Sequence, residues 1–309
     1  MQSRAHFWGW VLLFVSLVWG IEFALVHEAL DSIGPNSFNS LRFIVAALTL
    51  WVYFFSAGIA VSRSMNRACL HHGIVLGFLL FAGFSTQSVG LQYTSASNAG
   101  FITGLNVVLV PVIAWIWLKE HLRWYVWTGV ALATVGTLLL TGGPQGFGEG
   151  ERWVLACAFA FAMHIVYTGV YVRQVEPLAL TFVQLIVVAI LSVLTSLLYE
   201  LDSLQTIPGL LFTYNHDAAT FTVWLAILVG GVLGTGLAYV AQTVGQQSLA
   251  SWRVALIFAT EPLFAALGGF YLLDETLTLY AWLGAVCIIA GMLVAELVGD
   301  DFKPQKTGV

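Results

Sequence analysis

The chain has 309 residues, of which 59% are apolar and 9% charged, against about 25% charged in an ordinary soluble domain. With 11 Lys and Arg against 16 Asp and Glu, the net charge of −5 offers no basic face for nucleic acid, and 12 Trp and 21 Phe exclude low-complexity disorder. So few charges belong between apolar runs of a chain that folds in lipid, where every backbone amide must be bonded internally, and the expected class is an all-α integral membrane protein.

Runs of about 20 apolar residues, the length that crosses a bilayer as helix, fall at 7–28, 37–57, 71–92, 97–118, 124–141, 153–173, 178–199, 221–243, 252–273 and 279–298. The opening MQSRAHFWGW has one Arg ahead of its apolar run but no small-x-small cleavage site after it, so it reads as a retained first helix. Ten spans put both termini on one side. The segments on that side carry Arg4, Arg63, Arg67, Lys119, Arg123, Arg173, Lys303 and Lys306, with Arg253 just inside the ninth span. The opposite loops carry Glu28, Asp31, Glu149, Glu151, Glu200, Asp202, Asp217, Asp274 and Glu275, with Arg152 nearly the only base. Because cations accumulate on the cytoplasmic face, both termini are expected inside. Cys69, Cys157 and Cys287 are odd in number and flanked by apolar residues, which fits small core residues rather than disulfides or a metal site.

The chain repeats itself. Shifted by 155 positions, 84–138 superimposes on 239–293 without a gap, and roughly a quarter of the positions agree, among them Gln87 with Gln242, Glu120 with Glu275, Gly129 with Gly284 and Gly136 with Gly291. The amino-terminal parts align at a shift of 142, which pairs Pro35 with Pro177 and Arg42 with Gln184. Five spans per repeat is odd, so the second copy must enter the membrane from the opposite face. The charges agree: Lys119-Glu120, expected inside, becomes Asp274-Glu275 outside, and Asn98 outside becomes Arg253 inside. The expected halves are 1–144 and 150–309, joined by the glycine-rich hinge 141–150.

Val18-Trp19-Gly20 at the end of an apolar first span, the run LQYTSASNAGFITGLNVVLVPVIAWIWLKE at 91–120, its counterpart GQQSLASWRVALIFATEPLFAALGGFYLLDE at 245–275, and Gly129 and Gly284 together resemble the drug/metabolite transporter superfamily of the EamA type. The resemblance covers essentially the whole chain. It implies a ten-helix carrier with a central cavity between two inverted halves, working by alternating access, as in bacterial inner-membrane exporters of amino acids and other metabolites. One departure is Glu22, which stands where such proteins commonly have a small or amide residue after Trp-Gly.

Ionisable residues inside a membrane are costly and default to function. Here they are Glu22, Arg42, His164, Glu261 and, near a span end, Glu296, which is expected to snorkel to the interface. The repeat ranks them: Glu22 maps onto His164 and Glu261 onto Asn106, so four polar groups on pseudo-symmetric helices should converge where inverted repeats meet. Glu22 with His164 reads either as a proton-binding pair or as a buried polar pair that only fixes packing. Glu261, beside the helix-loosening Pro262, suits a substrate cation or a proton. Arg42 either snorkels outward or reaches Glu22, Glu28 or Asp31. Gln87 and Gln242 line the cavity or bond between helices, and Trp19, Phe161 and Tyr239 either wall the cavity or pack. Gly73-x-x-x-Gly77 and Gly100-x-x-x-Gly104 should let backbones approach closely.

No GxxxxGK[ST] is present, so the glycines at 142–150 form no P-loop, and neither a G-x-S-x-G elbow nor an aspartate within a span suggests an intramembrane protease. Two classes remain, neither an enzyme and neither with a cofactor or metal. One is a secondary transporter of a small-molecule substrate, with a proton as coupling ion and membrane lipid as its surroundings. The other is a lipid-handling or flippase-type scaffold, in which the polar groups only hold the bundle together.

Overall fold

The computed structural model describes residues 2–59, 64–142, 148–202, 218–272 and 278–299. Residues 143–147 of the expected hinge, Asp217, the Asp274-Glu275 pair, Lys303 and Lys306, and the side chain of Glu296 lie outside the described residues. Among those described, all regular structure is helical. The first half comprises α1 (Gln2–Ala29), α2 (Pro35–Ser56), α3 (Arg67–Leu91), α4 (Ala96–Thr103), α5 (Asn106–Trp117) and α6 (Trp124–Thr141). The second comprises α7 (Glu149–Tyr171), α8 (Pro177–Tyr199), α9 (Ala218–Gly231), a π-helical turn (Val232–Leu237), α10 (Ala238–Gly245), α11 (Ser251–Phe258), α12 (Glu261–Leu272) and α13 (Leu279–Gly299).

Local chemistry sets the helix starts. The Asn66 side chain accepts from the Cys69 amide at 2.8 Å ahead of α3, and Glu176 accepts from the Leu178 and Ala179 amides ahead of α8, each satisfying donors that a helix leaves open. Pro35 and Pro177 open α2 and α8, where a missing amide costs nothing. Among the described residues, eight helical stretches are long and apolar enough to cross a membrane, and Leu279–Ala295 is a shorter apolar helix. The expected span 252–273 is divided between α11 and α12.

The helices pack as the repeat requires. Contacts of α1 with α9 to α12 have their counterparts in contacts of α7 with α3 to α5, while α2 meets α8 and α6 meets α13. In the α6–α13 seam, a Cβ on Gly129 would lie 2.8 Å from the Gly291 carbonyl, and one on Gly136 would lie 2.6 Å from that of Gly284. These four glycines are two repeat-related pairs meeting crosswise, and they bring the backbones into contact. Gly73 and Gly77 similarly seat Val183 and Val187 of α8, but Gly100 meets nothing within 4 Å and a Cβ on Gly104 would reach another helix only at the Pro262 side chain, at 3.5 Å, so the second motif brings no backbones together.

Two apolar clusters also exchange under the repeat. Leu12, Val254 and Ile257 belong to one, and their equivalents Val154, Ala99 and Ile102 belong to the other. A polar space lies between them.

Candidate functional site

That space begins at two broken helices. Between α4 and α5 the Leu105 amide turns back to the Ile102 carbonyl at 3.1 Å; between α11 and α12 the Thr260 amide does the same to Ile257, also at 3.1 Å. The two breaks are 155 residues apart and therefore fall at one repeat position. Pro262 has no amide to continue the ladder through the second break, and the Thr260 hydroxyl donates to the Ile257 carbonyl at 2.6 Å. The helices resume at Asn106 and Glu261, so the first residue after each break carries the polar side chain.

Glu22 on α1 pairs with Arg42 on α2, Nη2 to Oε1 at 2.7 Å, with both side chains almost wholly buried. The Arg42 Nε donates to the Thr235 hydroxyl at 2.7 Å, and its Cζ lies 4.6 Å over the Phe84 ring. Room for the carboxylate comes from glycines of the eighth span: a Cβ on Gly230 would stand 2.5 Å from Oε1, and one on Gly234 would overlap Oε2. Within the π-helical turn, the Gly234 carbonyl accepts from the Trp19 indole at 2.6 Å. The repeat equivalent of this pair is His164 with Gln184, joined at 2.7 Å between Nε2 and Oε1. One half thus makes the contact with two charges and the other with none. Arg42 does not snorkel, and among the described residues Glu22 and His164 are partnered by Arg42 and Gln184 rather than by each other.

Trp19, Glu22, Arg42, Gln87, Asn106, His164, Tyr239, Gln242 and Glu261, the residues singled out from sequence, all line one cavity. Its other walls include Phe23, Phe84, Thr103, Phe161, Ile165 and Phe258. Most lining positions come as repeat mates: Trp19 with Phe161, Glu22 with His164, Phe23 with Ile165, Phe84 with Tyr239, Gln87 with Gln242, Thr103 with Phe258, and Asn106 with Glu261. Both halves therefore line the cavity, and the pairs Glu22 with His164 and Asn106 with Glu261 differ in charge type. Tyr239 links its aromatic wall, with ring centroids 5.9 Å from Trp19 and 6.1 Å from Phe84, and Trp19 lies 4.7 Å from Phe258. The Asn106 Oδ1 and the Thr103 hydroxyl are buried without a hydrogen-bond partner.

Sequence reasoning missed Thr103, the bond of Gln184 to His164 and the glycines that admit Glu22; for the glycines the run Gly230-Gly231-x-x-Gly234-x-Gly236 was the available signal. Two acids expected in open loops are structural instead. Glu151 is buried, its Oε1 accepting from the Thr94 hydroxyl and from the Asn98 amide at 2.6 Å, while its Oε2 accepts from the Gly148 backbone at 2.6 Å. Glu200 caps α2, accepting from the Asn36 and Ser37 backbone amides at 2.9 and 2.8 Å. Both acids satisfy donors exposed where helices begin.

Comparison with known proteins decides the lineage. The profile of the EamA-like transporter family matches residues 6–142 and again 149–296. The chain belongs to the EamA-like transporter family. An "uncharacterized transporter" of Archaeoglobus fulgidus is 32% identical over 93% of this chain and 84% of its own length. A Salmonella typhimurium protein named "probable amino-acid metabolite efflux pump" is 26% identical over 93% of each chain. A solved crystal structure covering 95% of this chain and 98% of its own superimposes with a TM-score of 0.74 at 19% identity, which shows the shared fold. This EamA-like chain is a multi-pass membrane transporter, and its two family matches leave the bundle with two related halves.

Proposed function

We propose that this EamA-like protein is a secondary active exporter of small metabolites, such as amino acids or amphiphilic molecules, that works by alternating access with protons as the coupling ion. Its halves, 1–144 and 150–309, act as inverted five-helix repeats that cross a bacterial inner membrane ten times and keep both termini in the cytoplasm. The observation that carries this reading is the coincidence of the two helix breaks at one repeat position, with Asn106 and Glu261 opening onto a single cavity. Interrupted helices tolerated at membrane depth line a binding site, and related halves give a route to two states of similar energy. The exchangeable apolar clusters around Leu12 and Val154 supply a seal on either side of the cavity.

In this reading Glu261 is the carboxylate that alternates between a proton and a cargo, since no base lies in ion-pair contact with it among the described residues. The groups that share its cavity are Glu22 on α1, Arg42 on α2, His164 on α7 and Tyr239 on α10. Glu22 is held by Arg42 and tunes the field at Glu261, and His164 contributes a second protonatable group. The test is pH-gradient-driven uptake in proteoliposomes. Glu261→Gln is expected to lower it at least tenfold while leaving the protein folded. Unchanged driven uptake in both Glu22→Gln and Glu261→Gln would remove proton coupling, and absence of any solute flux would favour a lipid-handling scaffold.

A further inference from the structure

Resting on the transporter reading, the hydrogen-bonding groups of the cavity narrow what it carries. We propose that the cargo is a monovalent organic ammonium with an apolar or aromatic body, its N–H groups held by the Glu261 carboxylate and the Asn106 amide oxygen.

The argument is a balance of donors and acceptors. The cavity's strongest donor, Arg42, already holds a carboxylate, through Nη2 to Glu22, and a hydroxyl, through Nε to Thr235, and the Trp19 indole donates to the Gly234 carbonyl. The Gln242 amide donates to Gln246 at 3.3 Å, and the Val107 and Val108 amides at the head of α5 bond to Gly104 and Leu105. Two strong acceptors are left over. Asn106 is 6% exposed and its Oδ1 has no donor, so its lost hydration is uncompensated until a donor arrives. Glu261 has no cation among the described residues, whereas the other acid of the cavity is neutralised by Arg42. The open positive end of α12 is met by Glu261 itself, in its first turn, so that terminus offers little to an anion.

These two acceptors are repeat mates and share one cavity, a geometry that suits the several N–H donors of one ammonium. A carboxylate cargo would have to share Arg42 with Glu22, which already neutralises it. The rest of the wall suits an apolar body beside a positive charge: rings of Trp19, Phe84, Tyr239 and Phe258 are contiguous. The Phe84 face already carries a guanidinium, and ring faces attract cations.

Four probes of one shape and different charge separate the possibilities: phenethylammonium, 2-phenylethanol, phenylalanine and phenylacetate. Binding to the full-length protein in detergent is read by titration calorimetry, and flux by uptake into proteoliposomes. Phenethylammonium is expected to bind at least tenfold more tightly than the alcohol, to lose that preference in Glu261→Gln, to keep it in Glu261→Asp, and to weaken several-fold in Asn106→Ala. A preference that survives Glu261→Gln, or tighter binding of phenylalanine or phenylacetate, overturns the assignment of cargo. If one of the other three probes is taken up instead, the transporter reading stands and only the ammonium falls; if none of the four is bound or taken up, both fall.

Discussion

The Glu22–Arg42 pair shows what a single pair of side chains costs inside this bundle and how the fold meets the cost. Withdrawing each charge from water is penalised by several kcal/mol, and the attraction repays this only when the partners meet well and their remaining atoms are satisfied. Here the glycines of the eighth span admit the carboxylate, Thr235 takes the guanidinium Nε and Phe84 covers its face. The second half makes the same helix contact with neutral groups, His164 and Gln184. Breaking the pair from one side should therefore be worse than neutralising both. Glu22→Gln or Arg42→Gln alone is expected to destabilise the protein by about 3–5 kcal/mol, and the double variant to recover most of that loss in thermal unfolding in detergent. Strictly additive losses would show that the two residues do not act as a pair. Sequence reading reached the four residues through the repeat but not their partners. The shift that matched Glu22 with His164 also matched Arg42 with Gln184, and only packing reveals that each row of that match is joined to the other.

At the scale of elements, the breaks between α4 and α5 and between α11 and α12 illustrate what apolar patterning conceals. A hydropathy window sees only side chains, so 97–118 and 252–273 read as continuous helices, whereas the interruptions are in backbone hydrogen bonds at Leu105 and Thr260. Pro262 and Gly104 were the traces left in sequence. The second break is also positioned from outside, because Gly20 of α1 lies against the start of α12: a Cβ there would stand 2.8 Å from the Glu261 carbonyl and the Ala265 amide and 2.9 Å from the Phe264 Cβ. Two of those three neighbours are backbone atoms, which yield poorly. Gly20→Ala is expected to cost about 1–3 kcal/mol by overpacking, read as a lower unfolding temperature. Gly100→Ala, which meets open space on α4, should be neutral or gain up to about 1 kcal/mol from helix propensity. Equal shifts in the two variants would mean that the α1–α12 contact does not position Glu261.

At the scale of the whole molecule, the halves are related in a way that only orientation can test. The crossed glycines of α6 and α13, the exchanged apolar clusters and the paired cavity residues each follow the 155- or 142-residue shift. Inversion adds a further demand: residues equivalent under the repeat must face opposite sides of the membrane. Tyr93 and Ser248 are such a pair, both exposed at the turns that follow α3 and α10. Cys69 and Cys157 are buried and Cys287 is partly so, and none is disulfide-bonded. A cysteine-free background made with serine or alanine is therefore a mild change against which single cysteines can be read. A membrane-impermeant maleimide should label Tyr93→Cys in intact cells and leave Ser248→Cys unlabelled until the membrane is opened. Labelling of both from the same side would make the halves parallel, and the cavity would then have no inverted repeat from which to draw its two states.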